Sequence, residues 1–576
     1  MGNRFTVCGS SQSHHLHDLR EDLFGPHAEL IVSAANGGTI LTMNDSVPTV
    51  EALAVKGGKI IRMGKEEDVL SLMGIFTKVI KLKDDETLMP GLIEPHTHTS
   101  IMTEFLSGRM NDLSAFTTEN PTGASIRQKM SKTVKKAQAA SQPPEWIVFS
   151  GWDPVLVPDL IKPDFRLNAK WLDEKVTDEF AVLVLQQSLH CCWLNTKGLK
   201  LCGMKDNPTG QVKEPAGMEQ VMKHISQPSG LELVGLLLNA MRTYSERGFT
   251  TVTDMGTLPL DKLVVSALSF VTLLPEFPVR WGIYYNVFSK YVPSINRVND
   301  KLWFPGVKFW ADGSPYVGTM CCSERYHRTA LTEGLEFDFG HPYGVLDNPN
   351  TAFLVKKLTP FKDRLIAVHS HGDKAVEQAL NVYDQLIHAR SDSGSSPANV
   401  DHRYRLDHVG QITKDQLIRA QQMGVTVTFF TDHVYYYGEA LGHSIIGHER
   451  ASRFAPAGLA SKCGHRHWTL HQDSPCSPLH PFLCMKNAIL RKTMQHGDVL
   501  GPEYRITIQE ALKAYTINAA WQLKRDDEIG SLEEGKLGDF VYLSNNPLNM
   551  EPEKLPDIKV IATFIGGHRF DPKPLS

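Results

Sequence analysis

No apolar run in this chain approaches the ~18 residues that a membrane helix needs. The N-terminus also lacks the charged-then-apolar pattern of a signal peptide. No two of the nine cysteines (Cys8, Cys191, Cys192, Cys202, Cys321, Cys322, Cys463, Cys476 and Cys484) form a CxxC pair, and their number is odd. That argues against a disulfide framework or a structural zinc knuckle and for a reduced, cytoplasmic protein. Charge of one sign is lacking too. The net charge of −4 gives no basic surface for nucleic acid or anionic lipid. There is no internal repeat and no low-complexity tract.

What is present is 576 residues, 41% of them hydrophobic, and 24 histidines. That length exceeds one ordinary compact domain, so a large domain with a smaller companion is expected. Histidine is the commonest metal ligand but also a common surface residue, so the count only directs attention. Residues 1–27 are polar and aperiodic and read as a disordered tail. The tail opens Met1-Gly2-Asn3-Arg4-Phe5-Thr6, a pattern for N-myristoylation of Gly2, with Cys8 open to palmitoylation. The alternative is an unmodified tail.

From Glu29 to Leu88, short runs such as Leu30-Ile31-Val32 and Ala52-Leu53-Ala54-Val55 are separated by Gly37-Gly38 and Gly57-Gly58. These are strands and turns. The C-terminus has the same texture in Phe540-Val541-Tyr542-Leu543 and Val560 to Ile565. Residues 28–88 and 535–576 are therefore expected to build one small β-sandwich from both chain ends.

Between them, in 89–534, short apolar strands alternate with helical stretches, the mark of βα units. Eight strands end near His96, Asp254, Tyr285, Trp310, His369, His408, Phe430 and Gln472. Eight units predict an α/β fold closed as a (β/α)8 TIM barrel. The rival, an open doubly wound sheet, lacks its glycine-rich phosphate loop after the first strand. The interval 100–247 is too long for a βα loop and carries its own strand-like segments, 146–150 and 181–185. It reads as an insertion forming a lid or substrate pocket.

The strand ends carry the chemistry. Met89 to His98 ends in His96-Thr97-His98, and side chains two apart on a strand point the same way. Two imidazoles aimed into a barrel mouth are half a metal site, although HxH alone also occurs by chance. Lys308 sits among apolar residues in the fourth strand, where a charge is costly unless removed or paired. Carboxylation by carbon dioxide would turn it into a metal-bridging carbamate. The plainer alternative is a lysine paired with Asp312 or another carboxylate. The fifth, sixth and eighth strands deliver His369 and His371, His408, and Asp473. The ends of barrel strands are where such enzymes place catalytic groups.

The ordered set HxH, Lys, His, His, Asp resembles the amidohydrolase superfamily. More closely it is similar to the amidohydrolase family 3 branch, which includes N-substituted formamide deformylase-like proteins. Further stretches carry the likeness: Gly306 to Ser314, Val368 to Ala375, Leu406 to Gly410, His471 to Pro478, Gly151-Trp152-Asp153, and His190 with Trp193-Leu194-Asn195. It covers nearly everything after residue 28. The resemblance implies one or two divalent ions, zinc first among them. His96, His98 and Asp473 would hold the more buried ion. Carboxylated Lys308 would bridge, His369 and His408 would hold the second ion, and Asp473 would handle protons.

This chain departs from the family at Glu94, where Asp is frequent, and at His371, where many members are apolar. Which of His369 and His371 binds metal stays open. The aromatic segment 432–438 either lines the pocket or packs beneath the lid. Trp152, His190, His371, Tyr435 and Tyr436 are the candidate pocket residues. The expected reaction is metal-dependent hydrolysis of a small non-peptide amide. Alternatives are a mononuclear deaminase or lactonase needing only His96, His98, His369 and Asp473, or a non-catalytic scaffold. Barrels of this kind often dimerise, but no interface signal is visible.

Overall fold

A computed structural model describes residues 27–118, 120–225, 230–258, 260–293, 296–339, 351–391 and 401–572. The tail with Gly2 and Cys8 lies outside them. Eight parallel strands run in order around a barrel: Leu92–Thr97, Phe249–Met255, Arg280–Asn286, Gly306–Trp310, Leu365–Ser370, Arg405–His408, Thr426–Phe429 and Thr469–Leu470. Each pairs in parallel with the next. Nearly all their residues are buried, because a parallel sheet is covered on both faces. The eighth strand is only two residues long, so His471 to Asp473 already lie in the loop beyond it. Between the first and eighth strands, the amide of His98 donates to the carbonyl of Ser474 at 3.1 Å, and Thr97 Oγ1 donates to the same oxygen at 3.0 Å.

Helices clothe the outside. Asp373–Ser391 follows the fifth strand, and Lys414–Gln422 the sixth. The second begins with a reciprocal cap between Thr413 and Gln416. Tyr383, Leu386, Leu417 and Ala420 on these helices join the barrel residues Ile366, Leu406 and Val427 in one core. That core holds the strand ends rigid.

Both ends of the chain share a sheet. Thr87–Pro90 pairs with Phe540–Leu543 on one side and Thr39–Leu41 on the other, within a six-stranded sheet. A four-stranded sheet holds Leu30–Ser33 and Ala52–Lys56. Val32, Leu53, Leu88, Phe540 and Phe564 lie in the apolar cluster that both sheets share. Arg280, in the third barrel strand, donates from Nε and Nη2 to both oxygens of Asp539.

The long interval after the first barrel strand carries its own five-stranded sheet. Trp146–Trp152 and Ala181–Gln186 are parallel neighbours at its centre. It touches the barrel mouth: Gln187 Nε2 donates to Pro475 O at 2.8 Å, and the Tyr437 hydroxyl donates to Asp153 Oδ2 at 2.8 Å. The eight described cysteines are unpaired, and among the described residues no helix is long and apolar enough to cross a membrane.

Candidate metal centre

His96, His98, Lys308, His369, His408 and Asp473 are all buried and meet at the C-terminal ends of the barrel strands. His96 Nδ1 lies 2.9 Å from Asp407 Oδ2. An ionised carboxylate only accepts, so Nδ1 carries the proton and the Nε2 lone pair is left free. That Nε2 and the Nε2 of His98 each lie 3.1 Å from Asp473 Oδ1. Neither contact is a directed hydrogen bond, so a fully buried carboxylate oxygen and two imidazole nitrogens converge without satisfying one another. Donors around a tetrahedral zinc, with bonds of about 2.0–2.1 Å, lie about 3.4 Å apart. The trio therefore fits a divalent cation at its centre.

The fifth and sixth strands supply a second group. His369 Nδ1 donates to Asp312 Oδ1 at 3.0 Å, which turns its Nε2 away from that carboxylate. Asp312 is fixed in turn by the amides of His371 (2.8 Å), Gly372 (2.7 Å) and Cys321 (3.1 Å). Burial pushes its carboxyl up to about 7 against those donors. His408 Nδ1 meets His471 Nε2 at 3.1 Å, and His471 Nδ1 meets Thr428 Oγ1 at 3.0 Å. His408 and Asp473 both have positive φ, 72° and 54°. Non-glycine residues adopt that region at a cost, and such strain gathers at functional sites.

Burial holds His96, His369, His371, His408 and His471 below the ordinary histidine range, so their lone pairs are available. Lys308 Nζ donates to Asp407 Oδ2 at 2.5 Å. The carboxylate beside Lys308 is thus Asp407, while Asp312 serves His369. Burial pushes the Lys308 amine down, against the pull of Asp407, and leaves it below the usual lysine value. Burial pushes Asp407 up, but Arg405, Lys308 and His96 outweigh it and hold its carboxyl well below the usual carboxylate range.

Of the candidate pocket residues, His190 and His371 reach the cluster, each with its ring centroid 5.1 Å from that of His369. His190 comes from the insertion, and its Nδ1 lies 3.0 Å from Glu214 Oε2. Trp152 does not line the mouth. It packs into the insertion's own core, 6.4 Å from the ring of Trp171. Tyr435 lies under Lys486 Nζ at 4.8 Å, and Tyr436 packs 4.6 Å from Phe116. From the same helix, Asp432–Ala440, it is His433 that approaches the cluster, 5.1 Å from His371. The Tyr316 hydroxyl bonds His433 Nδ1, and Tyr316 packs on Tyr437.

The sequence did not single out Asp407, His471 and His433, and it offered Asp312 only as a partner of Lys308, whereas Asp312 bonds His369. A signal for the first was present. Arg405 and Asp407 put two charged side chains in one short buried strand, the kind of anomaly that singled out Lys308.

The model of the amidohydrolase family matches residues 79–570. The chain belongs to the amidohydrolase family. This amidohydrolase is 26% identical over 583 residues to Protein LONG AFTER FAR-RED 3 of Arabidopsis thaliana, covering 95% of this chain and 92% of that protein. It is 23% identical to the putative amidohydrolase YtcJ of Bacillus subtilis, covering 92% and 98%. A shorter match, 27% identical over 35% of each chain, is to N-substituted formamide deformylase of Arthrobacter pascens. Among solved structures, an uncharacterized metal-dependent hydrolase from Pyrococcus horikoshii superposes with a TM-score of 0.67 at 20% identity, covering 91% of this amidohydrolase and 99% of that chain. That likeness shows the barrel fold.

Proposed function

We propose that this amidohydrolase is a metal-dependent hydrolase that cleaves a non-peptide C–N bond in a small amide, with an N-substituted formamide the first candidate. The observation that carries this is the convergence of His96 Nε2, His98 Nε2 and Asp473 Oδ1 on one point. Zinc is the ion that this nitrogen-rich donor set suits best. A divalent ion held there supplies Lewis acidity, polarising a carbonyl and making water acidic enough to be a nucleophile near neutral pH.

The rest falls to the chain. Asp473, in contact with both histidines, accepts the water proton and returns it to the leaving amine. The products are an acid and an amine. Asp407 and Asp312 fix the rings of His96 and His369, so no side chain has to be ordered during the reaction. Lys308 is the residue at which we place N6-carboxylation. Its amine adds to the carbon of carbon dioxide and releases a proton, and burial already favours the neutral amine that this requires.

The Lys308–Asp407 ion pair favours a second reading, a mononuclear deaminase or lactonase in which the amine stays free. Elemental mass spectrometry on protein made with zinc and bicarbonate separates the two. About two metals per chain support the bridged centre, and about one supports the mononuclear enzyme. No metal after reconstitution leaves only a scaffold. A panel of formamides, other amides, esters and phosphoesters then tests the bond cleaved, and turnover confined to the last two classes refutes the proposal.

A further inference from the structure

Among the described residues, His96, His98, His369, His371, His408, His471 and Asp473 fall in groups that could hold a metal ion, and the proposed function uses only some of them. The remaining question is which nitrogens still have a lone pair to give. His471 has none, since its Nδ1 meets Thr428 Oγ1 at 3.0 Å and its Nε2 meets His408 Nδ1 at 3.1 Å. His471 therefore acts on His408, engaging Nδ1 and directing Nε2 to the other side of the ring. His369 is directed in the same way, with Nδ1 given to Asp312.

His371 is different. Its ring is buried, and its Nδ1 has no hydrogen-bond partner among the described residues. A buried, unpartnered imidazole nitrogen is an expensive thing to keep unless something else engages the ring. The ring is also held deliberately. The His371 amide donates to Asp312 Oδ1 at 2.8 Å, the same oxygen that orients His369. Its plane stacks on His408 at 4.7 Å and 25°, and it stands edge-on to His369 at 5.1 Å. Gly410 leaves room for it, since a Cβ there would come within 3.0 Å of Nδ1. One ring nitrogen from each of His369, His371 and His408 lies within 4.8 Å of the others. Donors about 3.4 Å apart, as tetrahedral zinc sets them, are reached by small side-chain shifts.

We infer that His369, His371 and His408 form a three-imidazole site for the second divalent ion, with His371 a direct ligand. The inference rests on the metal-hydrolase reading above, in its two-metal form. It gives His371 a role that the positions of His369, His408 and Lys308 alone do not require. It also makes the second ion independent of the carbamate, because three neutral nitrogens suffice as a protein donor set.

The test uses the full chain, loaded with cobalt(II) and with zinc, and reads metal content rather than turnover. Wild type is expected to hold about two ions per chain. His371→Leu fills the same space beside Phe454 and is expected to hold about one, leaving the ion at His96, His98 and Asp473 in place. His433→Leu, beside the same ring, is expected to keep both. His371→Cys in the cobalt form is expected to show a thiolate-to-cobalt charge-transfer band in the near ultraviolet that wild type lacks. This readout requires direct ligation and would not arise from a packing role. Wild type with two ions and His371→Leu also with two, together with no new band in His371→Cys, overturns this site alone. Wild type with one ion overturns the two-metal form and this site with it.

Discussion

Two buried arginine–aspartate pairs sit at opposite ends of the same barrel. Arg280 and Asp539 join the barrel to the sandwich, and every group is engaged. Both Asp539 oxygens accept from Arg280, Arg280 Nη1 donates to Asp300 O at 2.8 Å, and the Gly566 amide donates to Asp539 Oδ1 at 2.7 Å. One cation meets one anion. At the mouth, Asp407 faces Arg405, Lys308 and His96 together, and Arg405 Nη1 has no hydrogen-bond partner among the described residues. Asp153, at the edge of the insertion, is a third case. Among the described residues its carboxylate accepts from the amides of Val155 and Leu156 and the Tyr437 hydroxyl, and burial pushes its carboxyl up to about 6. The series runs from a carboxylate short of positive charge, through a balanced pair, to one crowded by cations. The balanced pair is what stability selects. The crowded one is relieved when Lys308 gives up its charge, as the proposed carboxylation requires.

The comparison can be broken most decisively at Asp407. Asp407→Asn leaves Arg405 and Lys308 without their anion and releases His96 Nδ1. Metal affinity, measured by chelator competition, should fall about 10- to 100-fold, and the urea midpoint should drop as well. Asp539→Asn should cost about 3–5 kcal/mol of stability, because it strands a buried guanidinium. Here the folded fraction should keep its full metal content, so a loss of metal would show that the two pairs are not distinct in role.

Asp153→Asn sharpens the other end of the series. With the native carboxyl at about 6 and an ordinary value of 3.8, the unfolded chain ionises first as pH rises. Below 3.8 both states are protonated and no penalty exists. Above 6 the native state carries the full penalty, on the order of 3 kcal/mol. The variant should therefore be more stable than wild type at pH 8, by chemical denaturation, and indistinguishable at pH 3.5. Equal stability at both pH values would mean that Asp153 is not an uncompensated charge. The smallest effect is expected at Lys308. Lys308→Met returns Asp407 to a one-to-one pair and should leave the melting temperature unchanged or raise stability by up to about 2 kcal/mol. Turnover should fall at the same time. A clear loss of stability would show that the lysine is structural.

The barrel was legible because short β-type runs alternate with helical stretches through residues 89–534. The sandwich was legible because β-type runs recur at both ends. His96, His98, Lys308, His369, His408 and Asp473 stood out because an ionisable side chain within or just beyond a short buried strand is a local anomaly. The partners were harder. His471 is quoted within its strand, but its role depends on Thr428 and His408, residues distant in sequence. The aromatic segment 432–438 left pocket and packing roles open for Tyr435 and Tyr436, and it is His433 of that helix whose ring comes beside His371. Trp152 lies in the insertion's apolar cluster, because alternation along a strand can send a large ring into a local core as readily as into a cleft.

The pairing of Leu88 with Tyr542 has a consequence for the growing chain. Translation at about 5–20 residues per second makes the strand Thr87–Pro90 wait some 20–90 s for its neighbour. During that interval it offers a bare hydrogen-bonding edge immediately upstream of the histidine pair. Strands made much later in the chain thus finish the platform on which the first barrel strand rests. A premature stop that spared every metal-type residue would still release a nascent chain with an open seam, a substrate for chaperones and proteases rather than a shortened enzyme.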